Sequence, residues 1–322
     1  MSPCVTTLEV PTPWSVGPVN CYLIEDAPLT LVDTGPHSRV ALTAIEMGLA
    51  ERGFRIEDLG RIILTHHHPD HVGLATIIAR RADAEVCALD QVADWLSDPE
   101  TRVHDENAFV RATLVQHGVP VVTARQVDAV ELAWATAVDV HTRLIDGSTI
   151  DFAGTTLSVH HRPGHSPTDT VFHDDVTGDL FAGDHLIADI DSNALLARAS
   201  DASGTYRRSR ALVQYMSSLA ATRAMDVRSV LPGHGGPILD HRQLIDTRTA
   251  SRERRLTFVL EVITAAPSTA FDVAARIWGR GLAGGEPHLT MSKTLGYLDV
   301  LVARGDAVEE PGDVARFRAA AR

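Results

Sequence analysis

"RIILTHHHPDHVG", running from Arg61 to Gly73, decides how this chain is read. A short β-branched run, "RIILT", has the composition of a buried strand. Directly after it, four histidines and one aspartate fall within six residues. Histidine makes up 16 of the 322 residues, so the arrangement H-x-H-x-D-H arises by chance in only about 10⁻⁵ of windows. In an extended loop His66 and His68 point to the same side. Pro69 then turns the chain before Asp70 and His71. The motif is therefore able to feed two adjacent metal ions, provided the rest of the chain supplies further ligands.

Working outward, residues 19–35 carry two apolar runs, Cys21–Ile24 and Leu29–Val32, around a polar turn, which predicts a hairpin. Residues 38–52 have helical apolar spacing. "GLATIIARR" predicts a helix with Pro69 and Asp70 near its start, and "AEVCAL" a strand. Residues 91–127 read as polar helix. Strands are expected at 143–146, in "STIDFAG" and "TTLSVHHRP", and on both sides of the turn at 174–178. Residues 186–227 read as loop and helix, and "VRSVLPGHGGP" as a strand ending in a glycine-rich loop. Beyond residue 240 the pattern is helix, helix, helix and a small hairpin around Pro311–Gly312, the outline of a winged helix. The expected organisation is a catalytic domain over 1–245 and a helical, winged-helix-like domain over 246–322.

The bulk composition narrows the function classes. Hydrophobic residues are 44% of the chain, enough for a large core. No run approaches the roughly 18 apolar residues of a membrane span, and "MSPCVTTLEVPTPWSVG" lacks the basic start and apolar centre of a secretion signal. Cys4, Cys21 and Cys87 are widely spaced and odd in number, which fits reduced thiols and a cytoplasmic location. The net charge of −13 argues against nucleic acid as a partner. Lys293 is the only lysine beside 28 arginines.

Hydrolytic metal sites need imidazoles and carboxylates on rigid positions such as strand ends. Besides His66, His68, Asp70 and His71, the expected strand ends carry His165 in "RPGHSPTD", Asp184 in "FAGDH" and His234 in "LPGHGG". Asp33 in "LVDTG" is a strand-end polar residue of the same kind.

H-x-H-x-D-H, then PGH, then GD, then a second PGH resembles the metallo-β-lactamase-fold hydrolase superfamily over about residues 8–240. The resemblance implies an α/β fold, an αββα sandwich with two divalent metals at one edge. Zinc is the first candidate, with manganese or iron as alternatives. It implies that His66, His68 and His165 hold one metal, that Asp70, His71 and His234 hold the other, that Asp184 bridges them, and that Asp33 orients the histidine loop. His67 is expected to face away from the metals and His185 to line the pocket; His241 is expected on a helix surface.

Two cations about 3.5–4 Å apart generate a hydroxide near neutral pH, and Asp70 is also placed to move its proton. No G-x-S-x-G competes as a nucleophile. β-Lactam-cleaving members do not usually carry a bridging aspartate where Asp184 stands. The 49 residues between Asp184 and His234 leave no room for the insertion of RNA-cleaving β-CASP members. Flavo-diiron members carry Glu where His68 stands. The reading that remains is a glyoxalase II-like hydrolase of a thioester or ester, taking a small acyl substrate of CoA, glutathione or lactone type. Its alternatives are a single-strand endoribonuclease and a mono-iron sulfur dioxygenase.

The tail resembles that of the β-lactamase-like protein 2 group, some of which cut RNA. Arg252, Arg254, Arg255, Arg276 and Arg280 speak for RNA, whereas the acidic charge and the lack of an aromatic stacking platform speak against it. A pocket wall or a homodimer surface is the expected role of the tail. Arg207 and Arg208 in "YRRSR" are the candidates to receive an anionic group of the substrate.

Overall fold

The computed structural model describes residues 4–128, 132–200, 206–279 and 287–321. Two sheets form its centre. The first has the order β1 (Cys4–Val10), β2 (Val19–Glu25), β3 (Thr30–Val32), β4 (Arg61–Leu64), β5 (Glu85–Leu89), β6 (Thr142–Leu144). Its first three strands are antiparallel, while β3 to β6 run parallel. Parallel strands are covered on both faces and so read as continuous apolar runs, as "RIIL" and "EVCAL" do. The amino-terminal β1, which pattern reading did not pick out, alternates exposed and buried positions along its second half.

The second sheet is built from β7 (Thr149–Asp151), β8 (Thr156–His161), β9 (Thr170–Asp174), β10 (Asp179–Gly183) and a later strand, β13 (Ser229–Pro232), in the order β13-β10-β9-β8-β7. Its residues alternate between two cores. Leu157, Val159, Phe172 and Phe181 join the core between the sheets. Val171, Leu180, Ala182 and Val230 join a second core on the outer face. This is the two-residue period of a strand.

Helices cover both outer faces, giving the αββα layering. On the first sheet lie α1 (Arg39–Glu51), α2 (Pro69–Val72), α3 (Ala75–Ala82) and α4 (Asp90–Leu96). Ser38 caps α1 by accepting from the Ala41 amide. The expected single helix after the histidines is two, α2 and α3. Next come α5 (Pro99–Gln116), capped by Asp98, and α6 (Val121–Ala124). Between Asp184 and His234 the chain adds a small hairpin, β11 (Arg198–Ser200) with β12 (Tyr206–Arg208), and α7 (Ala211–Ala224).

The tail consists of α8 (His241–Ala265), α9 (Ala270–Trp278), α10 (Pro287–Arg304) and the antiparallel pair β14 (Ala307–Glu310) and β15 (Arg316–Ala319). α8 is continuous across the 245/246 boundary. Leu256, Val259, Leu295, Leu298 and Phe317 share the second core with Tyr215 and Leu219 of α7 and with the second sheet. The tail is thus packed into the sandwich. His241, expected on a helix surface, is 3% exposed, because the first turn of α8 lies against the body of the protein. Among the described residues no helix is long and apolar enough to cross a membrane.

Candidate metal centre

The topology gathers the candidate ligands without further assumption. β3 and β4 are parallel, so Asp33 and the His66–His71 loop leave the first sheet at one edge. β8 and β10 are both antiparallel to β9, and β13 is parallel to β10. Their carboxyl ends therefore share an edge too, and His165, Asp184 and His234 follow them. The two edges are stitched together. The Thr170 amide donates to the Thr65 carbonyl at 2.9 Å, and the Asn20 amide to the Gly233 carbonyl at 2.7 Å. Asn20 Nδ2 adds bonds to the carbonyls of Pro232 and Gly235. Glycine is required at 233, since a Cβ there would lie 2.3 Å from Asp184 Oδ1.

Seven side chains converge into three overlapping clusters: His66, His68 and His165; His66, His71 and Asp184; Asp70, His71 and His234. Within each, the donor atoms lie within 4.8 Å of one another. His68 Nδ1 is 2.9 Å from His165 Nε2. Asp184 reaches both halves, with Oδ2 3.6 Å from His165 Nε2 and Oδ1 3.4 Å from His71 Nε2 and 3.6 Å from His234 Nε2. Asp70 Oδ2 lies 3.3 Å from His234 Nε2.

The far side of four of the five rings is tied down. His66 Nδ1 meets Thr65 Oγ1 at 3.0 Å, His71 Nδ1 meets Asp33 Oδ2 at 2.7 Å, His165 Nδ1 meets the Asn193 carbonyl at 3.1 Å, and His234 Nδ1 meets the Pro18 carbonyl at 2.8 Å. Such contacts fix the ring and leave the other nitrogen's lone pair for a metal. Accordingly Nε2 of His66, His71 and His234 and Oδ1 of Asp184 are buried without a hydrogen-bond partner. Buried polar atoms are normally satisfied. Four orphans facing one another, all of metal-ligating type, fit divalent cations.

Asp33 holds this arrangement from behind. It sits at φ 59°, left-handed backbone that an aspartate tolerates. Its Oδ1 accepts from the Thr65 amide at 2.9 Å, and its Oδ2 accepts from Thr65 Oγ1 at 2.8 Å. Thr65 is a functional residue that spacing did not reveal; it is the last letter of "RIILT", and only the fold places it beside Asp33.

Electrostatics divide the set: His66 and His68 are held neutral, whereas without a cation the neighbouring carboxylates favour the charged form of His71 and His234. Burial, reinforced by neighbouring imidazoles, pushes His66 well below its usual pKa and His68 down to about 3, so both stay neutral. Burial also opposes charge on His71, but the carboxylates of Asp33, Asp184 and Asp70 outweigh it and raise the pKa. Burial would raise Asp184, yet His71 and its other imidazole neighbours hold it below the usual carboxylate range. Asp70 is lowered in the same way, by His71 and His234 against burial.

A pocket adjoins the cluster, with His68 and His165 in its wall. Val110, Leu195, Leu196 and Trp95 give it an apolar side, while Arg102, Glu106 and Arg198 give it a polar one. Ser292 of α10 completes the wall and accepts a hydrogen bond from the Leu196 amide at 3.0 Å. No motif announced these residues: α5 and α10 carry Arg102, Glu106, Val110 and Ser292 at ordinary helical spacing, and Trp95, Leu195, Leu196 and Arg198 come from α4, a loop and β11.

Three expectations are corrected. His185 does not line this pocket: it is fully buried, its Nε2 is 2.9 Å from Thr222 Oγ1, and its ring packs edge-on against Tyr215. Arg208 does not face substrate either, because it is spent on Asp299, Glu309 and His117, tying β12 to the tail. Arg207 is exposed on the same strand and is not in the pocket wall. His67 is in none of the three clusters; its ring stacks on Trp95 at 4.3 Å and borders the pocket, held by Thr168 Oγ1 at 2.7 Å. Of the tail arginines, Arg252 is 4% exposed and paired with Asp191, and Arg280 lies outside the described residues.

The sequence profile of the metallo-beta-lactamase superfamily matches residues 14–250. The chain belongs to that superfamily. It is 32% identical over 304 residues to the probable metallo-hydrolase YqjP of Bacillus subtilis, covering 93% of this chain and 92% of that protein. Among solved structures, a metallo-beta-lactamase family protein from Thermus thermophilus is 28% identical, with a TM-score of 0.78 and 98% of each chain covered. A beta-lactamase domain protein from Burkholderia ambifaria shares the fold at 24% identity and TM-score 0.77, covering 98% of this chain and 91% of that one. Both likenesses extend beyond residue 250, so this metallo-beta-lactamase-superfamily chain shares its tail with them.

Proposed function

We propose that this chain is a binuclear metal-dependent hydrolase that cleaves a thioester or ester at its carbonyl carbon. What supports this most directly is the group of buried, unpaired imidazole and carboxylate atoms beside a pocket with one apolar and one polar side. Water adds to the acyl carbon, the bond to sulfur or oxygen breaks, and the products are a carboxylic acid and a thiol or alcohol. When bound, two divalent cations, with zinc the first candidate, supply a water of lowered pKa and polarise the carbonyl. His66, His68 and His165 would hold one, Asp70, His71 and His234 the other, and Asp184 lies within reach of both sets. Asp70, kept ionised, is placed to accept the proton of the attacking water and return it to the leaving group.

The apolar wall at Val110, Leu195 and Leu196 suits an acyl chain. Arg102 lines the same pocket, is exposed and has no carboxylate partner among the described residues, so it replaces Arg207 and Arg208 as the group that meets an anionic leaving group. A panel of acyl-CoA, S-acyl-glutathione, lactone and short RNA substrates, run on protein of known metal content, tests the reading. Turnover of a thioester or ester with two metals per chain is expected. RNA cleavage alone, or one iron per chain with oxygen uptake, overturns it.

A further inference from the structure

We propose that a second pocket, enclosed by the tail, binds the phosphate group of a small anionic ligand. This cavity holds about 160 Å³ and lies between the Asp191–Asn193 segment, α8, the end of α9 and α10. Arg252, Lys293, Tyr297, Trp278, Ser192 and Asn193 line it. Arg252 is 4% exposed. Its Nη2 binds Asp191, but its Nη1 is buried with no acceptor. Ser192 Oγ is buried and unpartnered as well. Buried guanidinium and hydroxyl donors without acceptors are unfavourable, and phosphate oxygens are the acceptors that best match them.

Charge points the same way. Lys293 Nζ lies 5.9 Å and Arg255 Cζ 5.1 Å from the centre of the Trp278 ring. Lys293, the only lysine of the chain, has no carboxylate partner among the described residues. Two cations, Arg252 and Lys293, thus line a pocket whose wall carries one carboxylate, Asp191, and Arg255 adds a third positive charge over the Trp278 ring. The chain as a whole carries −13, so its surface generally repels anions and this local reversal concentrates them. The volume admits a phosphate group and a small part of its carrier.

The site is separate from the metal cluster. It touches the chain segment whose Asn193 carbonyl binds His165 Nδ1, but none of the seven clustered side chains lines it. Its test therefore reads binding and is independent of any hydrolytic activity. Inorganic phosphate, adenosine monophosphate and adenosine are titrated calorimetrically into the full-length, metal-loaded protein and its Lys293→Glu and Lys293→Arg variants. Lys293 is exposed, so both variants are expected to keep the wild-type circular dichroism and metal content. Phosphate-bearing probes should bind the wild type, lose at least tenfold in affinity in Lys293→Glu, and keep it in Lys293→Arg. Tighter binding of adenosine monophosphate than of phosphate indicates a nucleotide-borne group, and equal binding indicates free phosphate. Identical isotherms in wild type and Lys293→Glu place any phosphate at the metals and overturn the proposal. So does the absence of binding, or adenosine binding as tightly as its monophosphate.

Discussion

The His66–His71 loop and the Arg207–Arg208 strand look alike as sequence: each is a short, dense polar run, and each is a candidate for binding something outside the chain. In the folded protein they part company. The imidazoles of His66, His71 and His234 and the carboxylate of Asp184 are buried with an unpaired atom each. The guanidinium of Arg208, largely enclosed, is closed off by Asp299 at 3.0 Å, Glu309 at 3.0 Å and His117 at 2.8 Å. A polar cluster that satisfies itself stabilises the fold or fixes its register. One that leaves matched ligand atoms open is arranged for a guest. The chemistry of the residues does not separate the two cases; their partners do.

Four experiments sharpen this contrast, beginning with the largest effect. Asp184→Ala removes the carboxylate that reaches both halves of the cluster, so bound metal and turnover should fall together, turnover by at least about 10²–10³-fold. Metal analysis beside a kinetic assay checks this, and full retention of both would show that Asp184 does not bridge. Asp33→Ala frees the His71 ring and Thr65 while leaving every proposed ligand in place. Metal affinity, read by chelator competition, should drop about 10–100-fold.

Arg208→Met should do the opposite. It leaves Asp299 buried without its partner, so unfolding free energy should fall by about 3 kcal/mol, while folded protein keeps its metal and its KM. A raised KM with unchanged denaturation would put Arg208 back at the substrate. The smallest effect concerns pH. Burial, aided by the Arg208 charge, pulls His117 down to about 4. Between that value and the usual histidine value near 6.5, the unfolded chain binds a proton that the folded chain refuses. Stability from this residue is therefore present above about 6.5 and lost as pH falls towards 4. Because the metal ligands also protonate on acidification, the comparison is wild type against His117→Gln. The acid-induced drop in melting temperature should be shallower in the variant; equal slopes would remove His117 from the acid response.

Much of the frame was legible beforehand. Short runs with apolar residues followed by His or Asp marked β4, β8, β10 and β13, because a buried strand must be apolar and its ligand must sit where it ends. The H-x-H-x-D-H spacing and the two PGH loops then named the seven side chains that the fold brings together. The small hairpin of β11 and β12 was not legible, since three-residue strands carry no periodicity. Nor was the unity of the tail with the body. The boundary at 245/246 followed a change in composition, whereas α8 crosses it, and a continuous helix spends its apolar stripe on whatever lies beside it.

By itself, then, the sequence determined the ends of the strands that carry ligands and the identity of the clustered histidines and aspartates, because those depend on local periodicity and fixed spacing; the layer order came with the family resemblance. Tertiary structure alone decided which polar atoms remain unpaired. Asp33 is matched to His71 across 37 intervening positions, and Arg208 to Asp299 across 90. Hydrogen-bond satisfaction is a property of such distant pairs. It sent His185 into the core and Arg208 to the tail, and it left Arg102 and Lys293 at the two pockets.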